Sequence, residues 1–230
     1  MAEIPLTWLG HASFRLDTPR GKRLHIDPWL SGPTCPETER DPERVDVIAV
    51  THGHDDHAGD TLSLWQRFSP RVVAMVEVRA WLHAQGLDTD MESAMNKGGT
   101  VTIDDVHLTM TDAKHSSSAG DGTYLGEAAG YVIRIDDGPT LYVSGDTAVF
   151  GDMELIGDMY EPDVAILPIG GHFTMDPEGA AVALELLGVE RCIPSHYGTF
   201  PLLTGTPDEL RRLAPDVEIL APEPGGTVLL

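Results

Sequence analysis

The stretch Thr51-His52-Gly53-His54-Asp55-Asp56-His57 carries three imidazoles and two carboxylates within six residues. It follows directly on the apolar run Val45 to Val50. Such a density of polar groups is costly to bury without partners. A divalent cation would serve as that partner, because imidazole nitrogen and carboxylate oxygen are the donors that zinc and its first-row neighbours take. A tight turn at a strand end lets His52 and His54 face one ion while Asp56 and His57 face another. Gly53 leaves room for that turn.

Three comparable signals lie further along the chain, each after an apolar run. Ala113-Lys114-His115-Ser116 follows Val106 to Met110, Ser144-Gly145-Asp146-Thr147 follows Leu141 to Val143, and Ser195-His196-Tyr197-Gly198 follows Cys192 to Pro194. Alone, a strand-end His or Asp is most often a turn or capping residue. Four such sites in this order are a different matter.

Around these motifs the pattern alternates between strand and helix. Leu6 to Leu16 and Leu24 to Pro28 read as strands flanking the Pro19-Arg20-Gly21 turn. Val45 to Thr51 reads as a strand buried on both faces, with Val72 to Val76, Leu141 to Ser144, Val164 to Ile169 and Cys192 to Pro194 similar. Tyr131 to Ile135 is expected to pair with the Leu141 run through Asp136-Asp137-Gly138-Pro139. Helices are expected over Thr61 to Phe68 and Glu77 to Gln85, from the cap Asp176 to Gly188, and from the capping box at Thr206 to about Leu213. Strands cluster and are followed by helices, so the fold class is α/β with mixed sheets, in a single domain over residues 1–230.

Together these residues resemble the metallo-β-lactamase superfamily: His-x-His-x-Asp-His, a lone His, an Asp in a Gly-Asp-Thr context, then a final His. Successive elements are spaced by 58, 31 and 50 residues (His57, His115, Asp146, His196). Trp8-Leu9-Gly10-His11-Ala12-Ser13-Phe14, Asp27-Pro28-Trp29-Leu30, Pro168-Ile169-Gly170-Gly171-His172-Phe173-Thr174-Met175 and His196-Tyr197-Gly198-Thr199-Phe200-Pro201 look like the UlaG-like branch, and within it the YtkL-type proteins. The resemblance covers essentially the whole chain. It implies a four-layer αββα sandwich with the metals at one edge. It implies His52, His54 and His115 on a first ion, Asp56, His57 and His196 on a second, and Asp146 between them. Asp27 matches the family's early supporting carboxylate, and Tyr197, Thr199 and Lys114 are weaker supporting candidates. The motif has His54 where the di-iron oxygen-reducing relatives have Glu, which favours hydrolysis.

The ligand set implies a mechanism. Two divalent ions about 3.5–4 Å apart can hold a bridging hydroxide that attacks an ester, lactone, amide or phosphodiester. Zinc is the leading ion, and Mn, Fe, Co or Ni also suit such donors. Asp56 can orient the attacking water and accept its proton. His11 and His172 are catalytic candidates for contacting substrate or protonating a leaving group. His25, His83 and His107 are read as structural or surface residues.

Composition narrows the partners. Fifteen Lys+Arg against 37 Asp+Glu give a net charge of −22. That field repels phosphate backbones and anionic lipid, so neither nucleic acid nor a membrane is the expected partner. A small-molecule substrate is, and relatives in this branch form homo-oligomers. Cys35 and Cys192 are expected to be reduced thiols. With no secretory pattern and no apolar run near 20 residues, the expected location is the cytoplasm. A nuclease sharing the core motif and a non-catalytic metal-binding module are the competing readings. The charge speaks against the first. An open, carboxylate-bridged site speaks against the second, because structural zinc sites are closed.

Overall fold

The computed structural model describes residues 3–88 and 91–230. Its first six strands are β1 (Pro5–Gly10), β2 (Ser13–Asp17), β3 (Arg23–Ile26), β4 (Val47–Ala49), β5 (Arg71–Met75) and β6 (Ala94–Met95). They form one sheet in sequential order, and β14 (Thr227–Leu229) completes it beside β1. The second sheet runs in order through β7 (Thr100–Ile103), β8 (Val106–Asp112), β9 (Ala129–Ile135), β10 (Thr140–Val143), β11 (Val164–Pro168), β12 (Arg191–Ser195) and β13 (Glu218–Ile219). Each sheet mixes antiparallel hairpins with parallel pairs.

The core lies between the sheets. Leu6, Phe14, Leu24, Ile26 and Val47 from one face meet Leu108, Met110, Tyr131 and Ile133 from the other, and all are essentially inaccessible. Burial of side chains of this size is worth about 1.5–3 kcal/mol each. Helices close the outer faces. On the first sheet lie α2 (Thr61–Phe68) and α3 (Val76–Ala84), after the short α1 (Asp55–Ala58). On the second lie α4 (Met153–Tyr160), α5 (Pro177–Leu187) and α6 (Pro207–Leu213), with Ala180, Ala183 and Leu184 of α5 packed on Ala165, Leu167 and Cys192. The layers are therefore helix, sheet, sheet, helix, as the sequence leads one to expect. No helix among the described residues is long and apolar enough to cross a membrane.

The helix signals fall where local chemistry puts them. The Asp176 carboxylate accepts from Gly179 N at 2.9 Å and the Thr206 hydroxyl from Glu209 N at 3.2 Å, while Gly188 closes α5 in the left-handed region. Two expectations change. Leu6 to Leu16 is not one strand but the hairpin β1–β2, because Gly10 (φ 98°) and His11 (φ 51°) reverse the chain. Helix α4 has no counterpart among the sequence expectations: its cap residue Asp152 makes no side-chain cap bond and Gly157 sits inside it. Tertiary contact explains that glycine, since a Cβ there would lie 2.4 Å from the Leu187 carbonyl oxygen.

Topology gathers the polar motifs at one edge. Strands β8 and β10 both run antiparallel to β9, and β10, β11 and β12 are parallel, so β8, β10 and β12 share a direction. His115, Asp146 and His196 all follow the C-terminal ends of those strands. The His52 loop leaves β4 at the same edge, where Ala129 N bonds Thr51 O at 3.1 Å across the two sheets.

Candidate metal centre

Each polar residue is presented by a loop at a strand end. After β4 the chain turns through Thr51 to His54, and α1 then carries Asp56 and His57 in its single turn. The glycine between the first two histidines is fixed by packing: a Cβ on Gly53 would meet Leu125 Cδ1 at 2.4 Å. Gly145 sets up Asp146 in a different way. Its φ of +60° lies in the left-handed region, and a Cβ would lie 2.7 Å from Ala129 O and 2.8 Å from Thr51 Cβ. Asp27 (φ 45°) and His196 (φ 53°) also take left-handed backbone, a strain that concentrates at functional positions.

All seven residues of the predicted ligand set converge. His52, His54 and His115 place one ring nitrogen each within 4.8 Å of one another, and so do the donor atoms of Asp56, His57 and His196 together with a ring nitrogen of His11. Asp146 Oδ2 stands between the groups, 3.6 Å from His115 Nε2, 3.4 Å from His57 Nε2 and 3.1 Å from His196 Nε2. His52, His57, Asp146 and His196 are buried, whereas His54, Asp56 and His115 are partly open to solvent.

The donor chemistry fits metal ions. His57 Nε2 and Asp146 Oδ1 are buried without a hydrogen-bond partner, although burying such atoms unpaired is costly. His52 Nε2 and His54 Nδ1 lie 2.9 Å apart, near enough to serve one ion. Outer groups fix which nitrogen points inward. The His57 Nδ1–H donates to Asp27 Oδ2 at 2.8 Å, so Nε2 faces the cluster. Asp27 in turn accepts from Thr51 N and Thr51 Oγ1, each at 2.7 Å.

Electrostatics divides the histidines. Burial holds His52 well below its ordinary pKa and also lowers His54 and His115. Burial opposes charge on His57 and His196 too, but carboxylates prevail there. Asp146 and Asp27 lift His57 well above the usual range, and Asp146 with Asp56 pushes His196 up to about 9. Burial disfavours the Asp146 anion as well, yet His57 and His196 hold its carboxyl well below the usual range. Where metal ions bind, they compete with these protons.

The other candidates separate. His11 is buried, with Nε2 2.9 Å from Asp56 Oδ2 and Nδ1 2.8 Å from Thr199 Oγ1. Three are not brought into the cluster. His172 is exposed (φ 58°), its ring edge-on to Phe173 at 4.5 Å. Tyr197 stacks on Trp8 at 5.1 Å. Lys114 sends its ammonium to Asp112, and only its backbone N reaches inward, donating to Thr147 Oγ1 at 2.9 Å. Sequence reasoning missed Thr51 as the anchor of Asp27. It also missed Phe173 and Phe200, which with Ser116 and the cluster line a cleft of about 310 Å³. Each lies beside a quoted motif histidine, but nothing in an isolated sequence marks an aromatic residue as rim rather than core.

This fold, with a His/Asp cluster at the shared strand edge, defines a metal-dependent hydrolase of the metallo-β-lactamase type. Residues 22–197 match the family described as the beta-lactamase superfamily domain, and the chain belongs to it. It is 47% identical over 228 residues to a UPF0173 metal-dependent hydrolase of Koribacter versatilis, covering 97% of each chain. A UPF0173 metal-dependent hydrolase of Herpetosiphon aurantiacus is 45% identical over 234 residues, covering 98% of this chain and 97% of that one. Among solved structures, the metallo hydrolase Igni18 of Ignicoccus hospitalis superposes with a TM-score of 0.88 at 34% identity, covering 100% of this chain and 99% of the other.

Proposed function

We propose that the chain hydrolyses a small, uncharged ester, lactone or amide with an apolar substituent, using two divalent ions held by His52, His54 and His115 and by Asp56, His57 and His196, with Asp146 between them. When bound, such ions acidify water to a pKa near 7 and polarise the oxygen of the scissile bond. The observation that carries the substrate class is the lining of the cleft. Among the described residues its lining holds the carboxylates Asp56 and Asp146 and the imidazoles of His54, His115 and His196 but no lysine or arginine, and Phe173 and Phe200 supply aromatic surface. Phe173 is 52% exposed and Phe200 37% exposed, a pair of apolar surfaces beside the cluster. Phosphate-binding sites commonly rely on Arg or Lys to match anionic oxygens.

The residues would divide the work as follows. Asp146 and Asp56 orient the attacking water by accepting hydrogen bonds from it. His57, steadied by Asp27, keeps the buried side of the cluster rigid. Phe173 and Phe200 receive the apolar part of the substrate and exclude water from one side of the bond. The expected surroundings are a cytoplasmic, small-molecule setting without nucleic acid or membrane, consistent with the −22 charge.

The test is a panel of neutral aryl esters, lactones and amides alongside a bis-aryl phosphodiester, assayed on metal-loaded protein and on His54→Ala. Turnover of the neutral compounds that disappears in His54→Ala supports the reading. Turnover confined to the phosphodiester overturns the substrate class.

A further inference from the structure

We infer that His11, locked by Thr199, is a positioning residue that sets the affinity of the second metal position by orienting Asp56. This rests on the two-ion reading above.

Asp56 lies in the single turn of α1, with its side chain 28% exposed. A carboxylate so placed has rotamer freedom that a ligand must lose, and that loss weakens binding unless it is met in advance. Among the described residues, the hydrogen bond to Asp56 shorter than 3 Å comes from His11, at 2.9 Å. The ring itself cannot swing. It is 1% exposed, lies 4.0 Å from the His196 ring centroid, and meets Trp29 and Phe200 edge-on at 5.3 and 5.6 Å.

Tautomer choice follows from the neighbours. A ring with one donor nitrogen and one acceptor nitrogen matches its two partners. The Asp56 carboxylate can only accept, so Nε2 carries the proton and Nδ1 accepts from the Thr199 hydroxyl at 2.8 Å. Thr199 stands three residues after His196. The chain Thr199–His11–Asp56 therefore ties the loop bearing one ligand of the second position to the turn bearing the other two.

The main chain of His11 serves the same position. Its carbonyl accepts from His196 N at 3.0 Å and from Trp8 Nε1 at 2.9 Å. By contrast, the His52, His54 and His115 group is steadied elsewhere, with Thr51 Oγ1 3.0 Å from His52 Nδ1. Loss of His11 should thus separate the two positions.

The experiment titrates metal-free full-length protein with Zn²⁺ against a chelating indicator, for wild type, His11→Ala, His11→Gln, Thr199→Val and Thr199→Ser. Wild type should take two equivalents. His11→Ala and Thr199→Val should keep the tighter equivalent unchanged and weaken the other by about 10–100-fold, the usual effect of losing an outer hydrogen bond to a ligand. His11→Gln and Thr199→Ser, which keep a donor at the same place, should recover most of it. Two equivalents at wild-type affinity in both His11→Ala and Thr199→Val overturn the inference alone. So does equal weakening of both equivalents with no rescue, which marks a merely structural turn. A wild type that takes a single ion overturns the two-ion reading and the inference with it.

Discussion

Asp27 Oδ2 accepts a hydrogen bond from His57 Nδ1 at 2.8 Å, with both side chains buried. This pair decides which imidazole nitrogen of His57 faces Asp146. It also links two neighbouring strands of the first sheet, because Asp27 follows β3 while His57 stands beyond β4. The same carboxylate caps Thr51 through its amide and hydroxyl, so one side chain holds the start and the end of the histidine motif.

Replacing that carboxylate by an amide therefore has a defined effect. Asp27→Asn should weaken metal affinity by about 10–100-fold. The fold should survive, because the amide oxygen can still accept from Thr51. Zinc titration against a chelating indicator reads the change, and wild-type affinity in the variant would count against the role given to Asp27.

Glycine at position 145 is required by both conformation and space. Gly145→Ala places a Cβ at φ +60° and within 2.8 Å of Ala129 O and Thr51. We expect a loss of at least about 1 kcal/mol in denaturant unfolding, with hydrolysis reduced further because Asp146 is the next residue. Unchanged stability would show that the loop relaxes freely.

His25 gives a pH signature outside the metal cluster. Burial, then the nearby Arg15 and Arg23 charges, lower its pKa to about 3. The folded state therefore leaves His25 neutral while the unfolded chain protonates it near 6.5. Its contribution to stability is complete above pH 6.5 and is lost as pH falls toward 3, at about 1.4 kcal/mol per pH unit. Between pH 6 and pH 4, wild type should lose more stability than His25→Leu. Parallel pH curves from urea unfolding would contradict this.

The two cysteines are free and buried. Burial pushes the Cys35 thiol up to about 11 and Cys192 higher still. Neither should react with an aromatic disulfide reagent at pH 8 in native protein, and both should react once it is unfolded in denaturant. Rapid labelling of Cys192 in native protein would mean that α5 opens from its sheet.

Much of this architecture is legible in the sequence because it depends on local chemistry. Caps such as Asp176 and Thr206 announce helices, and apolar runs announce buried strands. The ligand cluster is legible for a related reason: strand-end His and Asp residues in a fixed order have few uses other than a shared ion. What escaped depends on tertiary placement. The β1–β2 reversal at His11 looks like continuous strand, since only the fold rewards left-handed backbone at a histidine. Helix α4 lacks a bonded cap and contains a glycine that only its contact with Leu187 explains. The course of Lys114, Tyr197 and His172 away from the cluster could not be read either, because neighbours in sequence point to different faces of a loop.

The central claim is that turnover belongs to the His/Asp cluster loaded with metal, and one measurement addresses it directly. Metal-free protein is assayed on a neutral aryl ester while Zn²⁺ or Mn²⁺ is added in measured equivalents per chain. No hydrolysis is expected at zero equivalents, and the rate should rise to a plateau at two equivalents in wild type but not in His54→Ala. Hydrolysis that persists in the metal-free protein, or that His54→Ala restores to the wild-type plateau, would contradict it.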